Sequence, residues 1–88
     1  MRKINPNAVN LEPVKYLDYV IRGLVQHPEE VKIQKVEGTQ ETIIEIRVHP
    51  DDVGKIIGKN GSVIRAIRMI IQAVNNRDKK NYSVEIID

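Results

Sequence analysis

Apolar residues recur along this chain with two different periods. Leu11, Val14, Leu17, Ile21 and Leu24 are spaced three or four apart, the interval that lines one face of a helix. Glu12-Pro13 stands where an acid and a proline suit a helix start, and the pattern predicts a first helix ending near Gln26, ahead of His27-Pro28. The period then shortens to two. Val31 and Ile33 alternate with charged residues, Gly38 marks a turn, and Ile44, Ile46 and Val48 alternate with Glu45 and Arg47, which predicts two strands joined as a hairpin. Val36 is out of phase with Val31 and Ile33, so a bulge or an early end to the first strand is expected there.

His49-Pro50-Asp51-Asp52 breaks the second strand and supplies an N-cap, after which Val53, Ile56 and Ile57 form a short helix ending at Gly58. Beyond Gly61 the helical period returns. At about 100° per residue, Val63, Ile67, Ile70 and Val74 fall within one narrow arc while Arg65, Arg68, Gln72, Asn75 and Asn76 gather opposite, so residues 62–76 are read as helix. After a polar connector, Tyr82, Val84 and Ile86 alternate with Ser83 and Glu85 as a closing strand. Residues 1–10 carry no period and are read as a flexible lead-in, leaving 11–88 as a single domain with one modest core.

The segment between the two later helices carries the chemistry. Gly58 and Gly61, three positions apart in Gly58-Lys59-Asn60-Gly61, allow a tight turn and leave no side chain to hold a phosphate away from the amides. The helix that follows opens with unpartnered amides and a dipole that favours an anion. Asn60-Gly61 between apolar pairs is also a type I′ hairpin signal, but the helical period downstream argues against a hairpin.

Net charge is only +2, and its distribution says more. From Val53 to Arg77 stand Lys55, Lys59, Arg65, Arg68 and Arg77 with no acid, whereas residues 1–52 carry seven basic and nine acidic side chains. The positive field is centred on the glycine loop, as a polyanion site requires.

Ile56-Ile57-Gly58-Lys59-Asn60-Gly61-Ser62-Val63-Ile64 resembles the K-homology (KH) signature, apolar-Ile-Gly-x-x-Gly-x-x-Ile, and the element order is similar to that of the type II, prokaryotic form. Asp51-Asp52-Val53-Gly54-Lys55-Ile56-Ile57-Gly58-Lys59 looks like the corresponding stretch of the small bacterial RNA-binding KH proteins of the KhpA type. The resemblance implies an α+β fold in the order α-β-β-α-α-β, with a three-stranded sheet and three helices packed on one face. It also implies single-stranded RNA as the ligand, with single-stranded DNA an alternative, about four nucleotides of backbone being gripped at the loop while the bases rest on an aliphatic groove. On that reading Gly58 and Gly61 give close approach, and the amides of Lys59, Asn60 and Ser62 meet phosphate oxygens. Lys59, Lys55 and Arg65 supply charge, while Ile57 and Val53, with a residue of the Ile44–Val48 strand, form the groove floor.

Aromatic side chains are few, Tyr16, Tyr19 and Tyr82, so the stacking platforms of other single-strand binders are missing and affinity is expected to be micromolar or weaker. A second module would raise it. The apolar arc of the long helix, from Met69 round to Ile64, spans about 220°, wider than a one-sided helix needs. One flank, either Ile64 and Ile71 or Ala66, Met69 and Ala73, is therefore expected to pair with a second copy or with a larger KH-containing protein.

No catalytic residue, cofactor or metal site is expected. The lysine-rich loop is one residue short of a P-loop and has Asn60 where the magnesium-binding hydroxyl belongs. There is no cysteine, and His27 and His49, each followed by proline, read as turn residues. The longest apolar stretch is far short of a membrane span, and the start has no hydrophobic signal region, so a cytoplasmic protein is expected. The main competing reading is a protein-interaction scaffold of KH shape with little RNA binding of its own.

Overall fold

A computed structural model describes residues 12–87. The lead-in expected at residues 1–10, and Leu11 of the first helix, lie outside the described residues. The remaining elements follow the expected order. Helix α1 is Pro13–Leu24, strands β1 and β2 are Lys32–Glu37 and Thr42–Arg47, helix α2 is Val53–Ile57, helix α3 is Ser62–Asp78, and strand β3 is Tyr82–Ile87. Single 3-10 turns at Pro28–Glu30, Pro50–Asp52 and Lys59–Gly61 fill three of the connections. The first helix stops at Leu24, slightly earlier than its sequence pattern suggested.

The sheet is mixed. β2 is central, antiparallel to β1 and parallel to β3, with Ile44 beside Lys35 on one side and Val84 on the other. Alternation along β2 sends Ile44 and Ile46 to one face, where both are completely buried. They share a single core with Leu17 and Ile21 of α1, Ile56 of α2, Ile64, Ile67 and Ile71 of α3, and Val84 of β3. All three helices thus pack on one face of the α+β sheet, and each fully buried aliphatic side chain contributes about 1.5–3 kcal/mol of transfer free energy.

Two expectations are corrected here. β1 runs in unbroken register from Lys32 opposite Arg47 to Glu37 opposite Thr42, with no bulge at Val36. Val36 lies on the outer face opposite Ile43, so its odd phase reflects a cross-strand pair on that face rather than a break. On the core side Lys35 occupies the inward position. Its ammonium escapes to the rim, 3.0 Å from a Glu12 carboxylate oxygen and 5.9 Å from the centre of the Tyr82 ring.

The second correction concerns α3. Its buried residues are Ile64, Ile67, Ile71 and Asn75, so the core stripe is rotated away from the Val63–Ile70–Val74 arc. Asn75, expected on the polar side, is buried because its side-chain amide mimics a strand: it donates to the Tyr82 carbonyl and accepts from the Tyr82 N–H, both at 2.9 Å. That pair of bonds fixes where β3 begins beside β2. The rotation leaves Met69 and Ile70 on the surface, with Met69 73% exposed.

Candidate nucleic-acid interface

The α2–loop–α3 corner is built around three backbone conformations with positive φ. Gly58 has φ 78°, ψ 170°, a region open essentially to glycine alone. Asn60 (57°, 27°) and Gly61 (74°, 17°) are both left-handed. The Asn60-Gly61 pair therefore adopts the dihedrals of a type I′ turn, as its composition favours, but between helices rather than strands. Gly58 is doubly constrained, since a β-carbon there would lie 2.5 Å from Val63 Cγ2 and 2.7 Å from the Val63 amide nitrogen.

Hydrogen bonds close the turn on itself. The Gly58 amide donates to the Gly54 carbonyl at 2.8 Å, the Gly61 amide to the Gly58 carbonyl at 3.1 Å, and the Ser62 amide to the Lys59 carbonyl. The Ser62 amide, expected among the phosphate donors, is therefore already engaged within the loop. The amides of Lys59 and Asn60 open the turn and have no backbone acceptor among the described residues. These two are the free donors of the loop.

The other expected site residues gather at the same corner. Lys59, Asn60 and Ser62 are exposed, and Gly58 and Gly61 half-buried. Arg65, one turn into α3, donates from Nη1 to the Asn60 carbonyl at 2.6 Å, so its guanidinium braces the loop from behind while adding charge beside it. Lys55 is exposed, its ammonium 3.9 Å from an Asp52 carboxylate oxygen. On α2, Ile56 is wholly buried while its neighbour Ile57 is 40% exposed and Val53 half-buried, so helical geometry assigns one isoleucine to the core and presents the next. Ile44 and Ile46 are sealed in the core and are unavailable as groove floor, whereas Val48, just past the end of β2, is half-buried. Arg68, from the basic window, is turned to the sheet and donates to the Val84 carbonyl at 3.3 Å.

Asp52 has a different job from the one expected. Its side chain makes no cap to α2. Completely buried, it accepts from the backbone N–H groups of Gln26 and His27, each at 3.0 Å, and so ties the α1–β1 connector to the start of α2. Burial pushes its carboxyl up, but the two backbone donors, with the nearby His27 and Lys55, outweigh that and hold it below the ordinary carboxylate range. The turn into α2 is capped instead by His49, whose Nδ1 accepts from the Asp51 N–H at 3.0 Å. Nothing in the local sequence pointed to the Asp52 strut, whose partners lie more than twenty positions away.

The family model for the KhpA/KhpB KH domain matches residues 14–86. The chain is 45% identical to a Chlamydia pneumoniae protein named RNA-binding protein KhpA, over 74 residues that make up 84% of this chain and 95% of that one. Proteins of the same name from Clostridium acetobutylicum and Borreliella burgdorferi are 42% identical over 71 residues and 37% identical over 75. These alignments cover 81% and 85% of this chain, and 95% and 92% of the relatives. No solved structure matches. The fold is that of a KH domain. More narrowly, the chain belongs to the KhpA/KhpB KH-domain family.

Proposed function

We propose that the protein binds single-stranded RNA, gripping its backbone at the Gly58–Gly61 loop and resting the bases against the aliphatic surface of Val53 and Ile57. The observation that carries this reading is the pair of amides of Lys59 and Asn60, left without a backbone acceptor among the described residues by a glycine-dependent loop, within a stretch that has no acidic residue. Its relatives' name, RNA-binding protein, supports the same ligand. A post-transcriptional regulator or RNA chaperone in the cytoplasm fits a weak, short footprint, and the family is one of RNA binders rather than enzymes. Among the described residues no helix is long and apolar enough to cross a membrane.

The test is a loop charge reversal. In a titration of labelled unstructured RNA, Lys59→Asp with Asn60→Asp weakens binding about tenfold or more, and wild-type binding falls as salt rises. Both positions are exposed, so the variant's melting temperature stays close to that of wild type. Equal binding by the two proteins would move the RNA site elsewhere, and a DNA oligomer run alongside reads the preference between the two.

A second reading, that the domain also pairs with another KH-containing chain or with its own copy, is favoured by the surplus apolar flank of α3. Ile64 and Ile71 are in the core, so the free flank is Ala66, Met69 and Ala73, beside an apolar groove lined by Pro13, Tyr16, Ile70 and Val74. Sedimentation across a concentration series is expected to show self-association that Met69→Asp abolishes without lowering the melting temperature. A wild type that stays monomeric throughout removes the self-pairing version.

A further inference from the structure

Two histidines twenty-two positions apart meet in the fold. His27 follows α1, His49 follows β2, and their rings stack with centroids 4.0 Å apart and planes inclined by 24°. Glu30, in the 3-10 turn after His27, brings a carboxylate oxygen to 3.6 Å from His49 Nε2. One donor atom from each of these three residues lies within 4.8 Å of the others. Two imidazoles and a carboxylate form a donor set suited to zinc and similar divalent ions, and water would fill the remaining position. We propose that His27, Glu30 and His49 form a zinc site that cross-links the α1–β1 connector to the turn leading into α2.

The surroundings supply the outer layer such a site needs. Asp51 Oδ2 lies 3.6 Å from His49 Nδ1 and 4.0 Å from His27 Nε2, and Glu29 Oε1 lies 3.6 Å from His27 Nδ1. These carboxylates are placed to orient the rings and to offset the charge of the ion. The site also lies on the two connectors that the Asp52 carboxylate already joins, so an ion there reinforces an existing strut.

Loading has two structural consequences. Stacking holds the in-plane lone pairs of the two rings in nearly parallel planes, so one ring must turn about its Cβ–Cγ bond for both to reach one ion. His27 has the freedom to do so, with its side chain 34% exposed on a connector and held by no side-chain hydrogen bond among those described. His49 now accepts the Asp51 N–H at Nδ1, which puts the proton of the neutral ring on Nε2. Coordination through Nε2 moves that proton to Nδ1 and displaces the Asp51 amide. The start of α2, the helix that carries the glycine loop, thereby senses the metal.

The experiment uses the chain without a polyhistidine tag, stripped with chelator and then titrated with zinc chloride near neutral pH. Calorimetry, thermal melting and the amide spectrum are followed together. Wild type takes up one equivalent, melts higher, and shifts the Asp51 amide resonance, whereas magnesium does none of these. His27→Gln and Glu30→Gln each lose the uptake and the rise in melting temperature, while Glu85→Gln on the sheet behaves as wild type. If His27→Gln folds poorly, the exposed Glu30→Gln decides alone. No zinc-dependent rise in wild type, or the same rise in the Glu30→Gln and His27→Gln variants, overturns the proposal. The readouts involve no RNA, so the result is independent of the function proposed above.

Discussion

Gly58→Ala is expected to eliminate RNA binding and to destabilise the domain by about 2–4 kcal/mol, the sum of a backbone conformation that only glycine tolerates and a steric overlap with Val63. The overlap cannot relax easily, because two of the three atoms approached, Val63 N and Cβ, are fixed to the first turn of α3. Gly61→Ala provides the internal comparison. Its φ of 74° is left-handed, at a cost of about 1 kcal/mol, and the nearest atom to a new β-carbon is Arg65 Nη1 at 3.3 Å, the mobile end of a side chain. Urea unfolding should therefore rank Gly58→Ala well below Gly61→Ala, and RNA titration should rank them in the same order. Equal costs at the two glycines would mean that the loop's shape is not held by Gly58.

Asp52→Asn should lower the melting temperature at pH 7 by several degrees, the largest effect expected from any polar side chain outside the loop. The amide keeps the size of the carboxylate but turns an NH2 group toward one of the two backbone N–H donors, leaving the part-buried N–H of Gln26 or His27 without its acceptor. The effect must depend on pH in a particular direction. Because the folded carboxyl is held below its unfolded value, its stabilising contribution is fully present above that unfolded value, near pH 4, and is lost as pH falls through the folded value. The gap between wild type and Asp52→Asn should hold constant from pH 7 down to about 5 and narrow below about 4. A gap that stays the same width into acid would show that Asp52 acts by shape alone.

These two positions also mark how far the sequence could be read. The glycine loop was legible because its constraint is local: Asn60-Gly61 prefers left-handed backbone wherever it occurs, and the helical period after Gly61 decides that helices flank it. The alternating runs Ile44/Ile46 and Tyr82/Val84/Ile86 likewise report a sheet with one buried face. Asp52 was assigned to the cap that its position before α2 suggests, because a carboxylate's partners across the fold leave no mark beside it. The phase of α3 failed for a similar reason. Its apolar arc is wider than the sheet can cover, so which part is buried depends on where β3 and Asn75 meet, a contact that periodicity does not contain. The His27–His49 stack is tertiary in the same way, although both turns that present the rings follow from their prolines.

Whether the glycine loop grips RNA is read most directly by adding a short unstructured RNA to isotope-labelled protein and recording which backbone amides shift. Lys59 and Asn60 are expected to move most, followed by Gly58, Gly61 and the Val53–Ile57 surface, with the Ala66–Met69–Ala73 flank unaffected at constant protein concentration. Shifts concentrated on that flank or on the outer face of the sheet, with the loop silent at saturating RNA, would contradict a grip at the loop.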